Sequence, residues 1–183
     1  MNPLLKFSDM IGETNPYSDH YFIEKMSGGT ERLTIAPSQK QIDLICSLLS
    51  EMEGPYGFLY IMVVSRSEYE PARYQLEQSL DLRQVSELLR DFQDFFEQDG
   101  RCTLFLGSHC DGAQIIYDRH NIIYAYGNLD AYRRVLRERG FLDEKVIVPA
   151  PHKHYYHKEF DEDEKRLFAM GNWFKSPLHD TDV

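Results

Sequence analysis

Seven apolar residues in unbroken succession, Phe58-Leu59-Tyr60-Ile61-Met62-Val63-Val64, constrain this chain more than any other feature. The run is rich in aromatic and β-branched side chains and shows no polar alternation. It therefore reads as a central strand buried on both faces. Gly54-Pro55 precedes it and a polar loop from Ser65 to Pro71 follows. Ala72-Arg73-Tyr74-Gln75-Leu76 then alternates, as a half-exposed strand should.

Helical periodicity flanks this pair. Ser38 and Gln41 have the spacing of a capping box, ahead of an apolar stripe of Ile42, Ile45, Cys46, Leu48, Leu49 and Met52. Asp81 and Gln84 repeat the capping pattern before Leu82, Val85, Leu88, Leu89, Phe92, Phe95 and Phe96. Gly100 stands where a left-handed C-cap belongs. A third helix starts at Asn128 with Leu129, Tyr132, Val135 and Leu136 inward, and Gly140 closes it.

Between the second and third helices lie three short strands: Cys102–Gly107, Ala113–Tyr117 and Asn121–Tyr126. Their connections, Ser108–Gly112 and Asp118–Asn121, are too short for parallel crossovers, so an antiparallel meander is expected. Tyr21-Phe22-Ile23 and Arg32-Leu33-Thr34-Ile35 flank a Gly28-Gly29 turn and suggest two more strands. Val146-Ile147-Val148 suggests a segment along a sheet edge.

From residue 38 the order is α-ββ-α-βββ-α. This predicts a single α+β domain with an antiparallel sheet of about five strands flanked by helices. The expected organisation is an irregular segment over 1–30, the α+β core over 31–142, and a C-terminal tail over 143–183. The tail carries a short helix from Asp161, and Trp173 and Phe174 dock it on the core. The element order resembles that of the roadblock and longin type of small regulatory module, without a shared residue motif.

Charge narrows the function. Thirty acidic residues against 20 Lys and Arg give a formal net charge of −10, which argues against a dedicated DNA or RNA binder, since that needs a basic face. No apolar run approaches the roughly 20 residues of a membrane span. The opening residues, Met1 to Asp9, have neither the basic nor the apolar stretch of a secretory leader. Cys46, Cys102 and Cys110 fit no paired or zinc-binding spacing, so three reduced thiols in the cytoplasm are expected.

Three polar clusters bear on chemistry. His152, His154 and His157 lie within six residues, with Asp161 behind them. Imidazoles and carboxylates are metal ligands. In an extended segment His152 and His154 share a face, and in a helix His154 and His157 do. The spacing matches no established metal motif, and the competing reading is a solvated, Lys-studded surface. Ser108–Gly112 and Asp118–Asn121 read as turn chemistry, although His120 and Asp118 could form a general-base pair. No phosphate loop, dinucleotide fingerprint or nucleophile elbow is present.

Twelve Tyr and 11 Phe are more than one core requires. Tyr117, Tyr124, Tyr126 and Tyr155 are the candidate contact residues, because tyrosine buries area while keeping a polar handle. The expected function is a non-enzymatic, acidic, cytoplasmic protein-binding module of the inhibitor, immunity or regulatory-scaffold kind. Its partner would be another protein of basic character, with no cofactor, and self-association is compatible with the same surface. The alternative is a metal-dependent hydrolase built on His152, His154, His157 and Asp161.

Overall fold

Strand alternation sorts the side chains of this chain into two faces with different fates. The computed structural model describes residues 4–10, 12 and 15–182; the first three residues of the opening segment lie outside them. In chain order the elements are β1 (Phe7–Asp9), β2 (His20–Lys25), β3 (Glu31–Ala36), α1 (Gln41–Leu49), β4 (Tyr56–Met62), β5 (Ala72–Leu76), α2 (Leu82–Asp91) and α3 (Gln93–Gln98). They continue with β6 (Cys102–Ser108), β7 (Gln114–Tyr117), β8 (Ile123–Tyr126), α4 (Leu129–Glu138), β9 (Leu142–Asp143), β10 (His152–His154), α5 (Asp161–Phe168) and β11 (Trp173–Ser176).

Nine strands form one sheet in the order β11-β5-β4-β6-β7-β8-β3-β2-β9, antiparallel except where β9 joins β2. The β6-β7-β8 meander is present as expected. One register row runs Tyr74, Tyr60, Leu104, Tyr117, Ile123, Ile35, Tyr21, and every member is buried. The helices cover this face. Ile45, Leu49, Val85, Leu88, Phe95, Tyr132, Leu136 and Leu167 join it in one hydrophobic core. The adjacent row runs Gln75, Leu59, Phe105, Ile116, Tyr124, Thr34, Phe22, and all of it but Thr34 keeps some exposure. The molecule is thus an α+β domain with its helices on one face of a mostly antiparallel sheet.

This one-sidedness qualifies the reading of Phe58–Val64 as buried on both faces. Phe58, Tyr60 and Met62 meet the helices, while on the other face Ile61 is buried and Leu59 half-buried. An apolar run reports burial but not which layer supplies it.

The sheet has nine strands rather than about five, because the segments assigned to the two ends of the chain add to it. The β2–β3 hairpin pairs with β8, so a boundary at residue 30 cuts through a hairpin. β11 pairs with β5 at the far edge, through Trp173 opposite Leu76. β9, not Val146–Val148, lies along the opposite edge. β1 and β10 form a separate two-stranded sheet. Phe7, Tyr17 and Val146 there meet Ala36 and Ile122 in a second, smaller core, with Phe22 and Tyr124 packed on it.

Local signals fared unevenly. Asp81 and Gln84 form both halves of the capping box, and the Asn128 side chain caps α4. Ser38 does not cap α1. It is held by Asp19, the residue before the helix is the left-handed Lys40, and the Ile42 N–H is taken by the Glu97 carboxylate at 2.8 Å. The helix expected over Leu82–Phe96 breaks at Phe92, yet Phe92, Phe95 and Phe96 all stay buried. Gly100 is needed for close approach rather than for a left-handed turn: a Cβ there would stand 2.9 Å from the Lys6 carbonyl oxygen.

Candidate functional site

The uncovered face of the sheet holds a cleft of about 480 Å³. Ile61, Phe105, Ile116 and Tyr124 form its apolar floor, with Arg32, Arg73 and Arg119 around it. Antiparallel alternation places these side chains together, since Phe105, Ile116 and Tyr124 are direct cross-strand neighbours. The Arg32 guanidinium lies 4.1 Å from the centre of the Tyr124 ring and donates to the Tyr126 hydroxyl at 2.9 Å. It also pairs with Glu24 at 2.7 Å, which lowers the Glu24 carboxyl below its ordinary range. Arg73 is engaged by Asp182, so the C-terminal residues line one wall.

The β7–β8 turn closes another side of the cleft through Asp118, Arg119 and His120. Asp118 Oδ1 accepts from the backbone N–H of His120 and of Ile122, each at 2.9 Å. Its Oδ2 lies 3.0 Å from His120 Nδ1. Asn121 takes the left-handed conformation and accepts from the Tyr117 hydroxyl. The turn chemistry expected from the sequence is therefore present, and it also orients an imidazole.

That imidazole meets two others. β10 is extended, so His152 and His154 fall on one side of it by the period of two. Pairing with β1 places Phe7 opposite His154. The buried Phe7 ring then lies 5.3 Å from His120, 5.3 Å from His152 and 5.5 Å from His154, centre to centre. His120, His152 and His154 each present a ring nitrogen within 4.8 Å of the others. His152 Nδ1 lies 3.0 Å from the Pro149 carbonyl oxygen. His154 Nδ1 is buried without a hydrogen-bond partner. Burial, then Arg119 and the two neighbouring imidazoles, lowers His154 to about 4, so its ring is neutral at physiological pH.

No family model, curated protein or solved structure matches this chain. Its reading rests on this geometry.

The residues singled out from the sequence divide. Of the four tyrosines, Tyr124 and Tyr126 line the open cleft. Tyr117 is 0% exposed, on the helix-covered face beneath Lys6, and so belongs to the core rather than to a contact surface. Tyr155 does not line the cleft, and its hydroxyl lies 3.0 Å from Ser8 Oγ. Of the four metal candidates, only His152 and His154 come together. His157 Nε2 is bound at 2.8 Å to the Leu5 carbonyl oxygen, and Asp161 pairs with Arg101 and Arg66. The solvated-surface reading fits Lys153 and Lys158, which are exposed, but not the half-buried His154. Sequence reasoning placed His120 in a turn and left it out of the cluster. It lies 32 positions from His152, and only the packing of β1·β10 beside the β7–β8 turn unites them. Arg32 was passed over because a lone Arg in a strand carries no motif.

Proposed function

We propose that this protein is a non-enzymatic binding module that recognises another protein through the open face of its sheet. The observation that carries the reading is the row Leu59, Phe105, Ile116 and Tyr124, half-exposed on the sheet face opposite α1–α5. A solvated antiparallel face is ordinarily polar. Here it is apolar and aromatic, with a guanidinium stacked on a tyrosine. Interface energy concentrates in such aromatic and Arg anchors.

The net charge of −10 favours a basic partner by speeding encounter and discouraging acidic competitors. An inhibitor or immunity-type protein masking a basic toxin, such as a nuclease, has this character, and so does a regulatory scaffold. Three free thiols, two of them buried, fit a reducing compartment, and we place the protein in the cytoplasm. A hydrolase built on His152, His154, His157 and Asp161 has less support, since His157 and Asp161 are committed to other contacts.

The test is affinity capture from the native cytoplasm, followed by titration of the captured protein against purified variants. Ile116→Arg should abolish binding while leaving thermal unfolding unchanged, because Ile116 is half-exposed. Arg83→Glu, on the exposed side of α2, should bind like the wild type. Capture that survives Ile116→Arg, or that is lost only with Arg83→Glu, would overturn the reading.

A further inference from the structure

We propose that His120, His152 and His154 form a binding site for one zinc-class divalent ion, joining the β7–β8 turn of the main sheet to the β1·β10 sheet. This goes beyond partner binding and does not depend on it. Zinc is bound through neutral imidazole nitrogens, and three protein ligands leave a fourth position for water or an incoming donor. Imidazole-only sets favour zinc and its neighbours in the transition series over the hard, oxygen-seeking magnesium and calcium.

The cluster has the orienting contacts a metal site needs. A ligating histidine ordinarily donates its other ring N–H to a carboxylate or a backbone carbonyl, which fixes the tautomer and directs the lone pair. His120 Nδ1 faces the Asp118 carboxylate at 3.0 Å, and His152 Nδ1 faces the Pro149 carbonyl oxygen at 3.0 Å. A carbonyl only accepts, so His152 carries its proton on Nδ1 and has its lone pair on Nε2. Donation to Asp118 leaves the lone pair of His120 on Nε2 in the same way. His154 Nδ1 is buried with no hydrogen-bond partner. A buried ring nitrogen left unpaired is destabilising, because it has given up its hydrogen bond to water and gained none in return. A metal ion is the partner this arrangement lacks, since all three side chains offer a ring nitrogen within 4.8 Å of one another and one of their nitrogens is buried unpaired.

The spacing is loose but workable. Nitrogens 2.0–2.1 Å from a tetrahedral ion stand roughly 3.3 Å apart. The separations here reach 4.8 Å, so the rings must move inward by about an ångström, as rotation about their side-chain bonds allows. Phe7 forms an apolar floor, which limits water on that side and strengthens the metal–ligand interaction.

The experiment uses the full chain, stripped with a chelator and dialysed, and titrated with zinc alone. Zinc per chain is read by elemental analysis, and thermal unfolding is followed by circular dichroism. The wild type should take up one zinc per chain and unfold at a higher temperature when loaded. His120→Ala and His154→Ala should each lose stoichiometric binding and the zinc-dependent shift, whereas His109→Ala, an exposed histidine outside the cluster, should keep both. Asp118→Asn should bind zinc roughly 10–100-fold more weakly, as expected of a positioning residue. Cobalt in place of zinc should give the intense visible bands of four-coordinate geometry. Wild-type protein that binds clearly less than one zinc per chain at micromolar metal would overturn the site even if a variant failed to fold. So would retention of stoichiometric zinc by folded His120→Ala.

Discussion

Arg101 and Asp99 face each other in a two-pronged ion pair, at 3.0 Å from Nε and 3.1 Å from Nη2, with both side chains 0% exposed. The same guanidinium reaches out of the core to the tail. It donates to the His157 carbonyl oxygen at 2.8 Å and to Asp161 at 3.0 Å, and stands 3.4 Å from Glu164. Glu164, itself buried, accepts from the Tyr60 hydroxyl. One cation thus neutralises carboxylates from the core and from α5.

Arg101→Ala should cost about 3–5 kcal/mol, because it leaves the buried Asp99 and Glu164 carboxylates without their counter-ion. Urea unfolding measures this directly. Asp161→Asn should cost less, since that carboxylate is partly solvated and Arg66 remains beside it. Equal losses for the two variants would show that the network is not centred on Arg101.

Lys6 is fully enclosed, with its ammonium 3.6 Å from the centre of the Tyr117 ring and bound to the Phe96 carbonyl oxygen. Burial lowers it to about 8. An unfolded lysine titrates near 10.4, so between about pH 8 and 10.4 the unfolded chain holds a proton that the folded chain has released. Stability from this group therefore rises with pH across that window, by on the order of 3 kcal/mol in all. Cys102, pushed up by burial to about 12, works in the opposite direction once the unfolded thiol ionises near 8.5. The informative quantity is the difference between the wild type and Lys6→Met. It should shift toward the wild type as pH rises from 8 to 10, measured by urea unfolding at each pH. A flat difference would place the Lys6 titration at its ordinary value.

The three thiols should separate by rate. Cys110 is exposed, while Cys46 and Cys102 are buried and both raised in pKa by that burial. A thiolate-selective reagent at pH 8 should modify one thiol quickly in the native protein and all three after denaturation without reductant. Two fast thiols in the native state would mean that α1 or β6 opens.

Phe92 is 3% exposed and lies under the Arg166 guanidinium at 5.1 Å. Phe92→Ala should destabilise by about 3–5 kcal/mol through the lost transfer energy and the cavity left behind. A loss below about 1 kcal/mol would show that the break between α2 and α3 lets the site collapse.

Elements whose signal lies within a few consecutive residues were legible in the sequence. The Asp81–Gln84 box, the Asn128 cap and the short turns of the meander each fix local geometry through bonds inside their own segment. What depends on long-range pairing was not legible. Ser38 and Gln41 fit the capping pattern, but Asp19 and Glu97, distant in sequence, took over the groups involved. Most of the tyrosines went into the core, and nothing local separates Tyr117 from Tyr124. They point to opposite faces because β7 and β8 meet with Tyr117 opposite Ile123. His120 joined the other histidines for the same reason: a turn residue and a strand 32 positions apart leave no spacing to read.

The nine-stranded sheet ends on β9 and β11, of two and four residues. A sheet this broad would otherwise expose a long row of unpaired N–H and C=O groups at each margin, the usual template for runaway strand addition. Short terminal strands leave an incoming chain few backbone groups to grip, and β11 carries a charge at Lys175 beside its exposed Phe174. The margin on the β9 side is guarded only in part, since β9 covers just His20 and Tyr21 of β2 and leaves Phe22–Lys25 as the open edge, where Glu24 and Lys25 bring the charges that discourage strand addition.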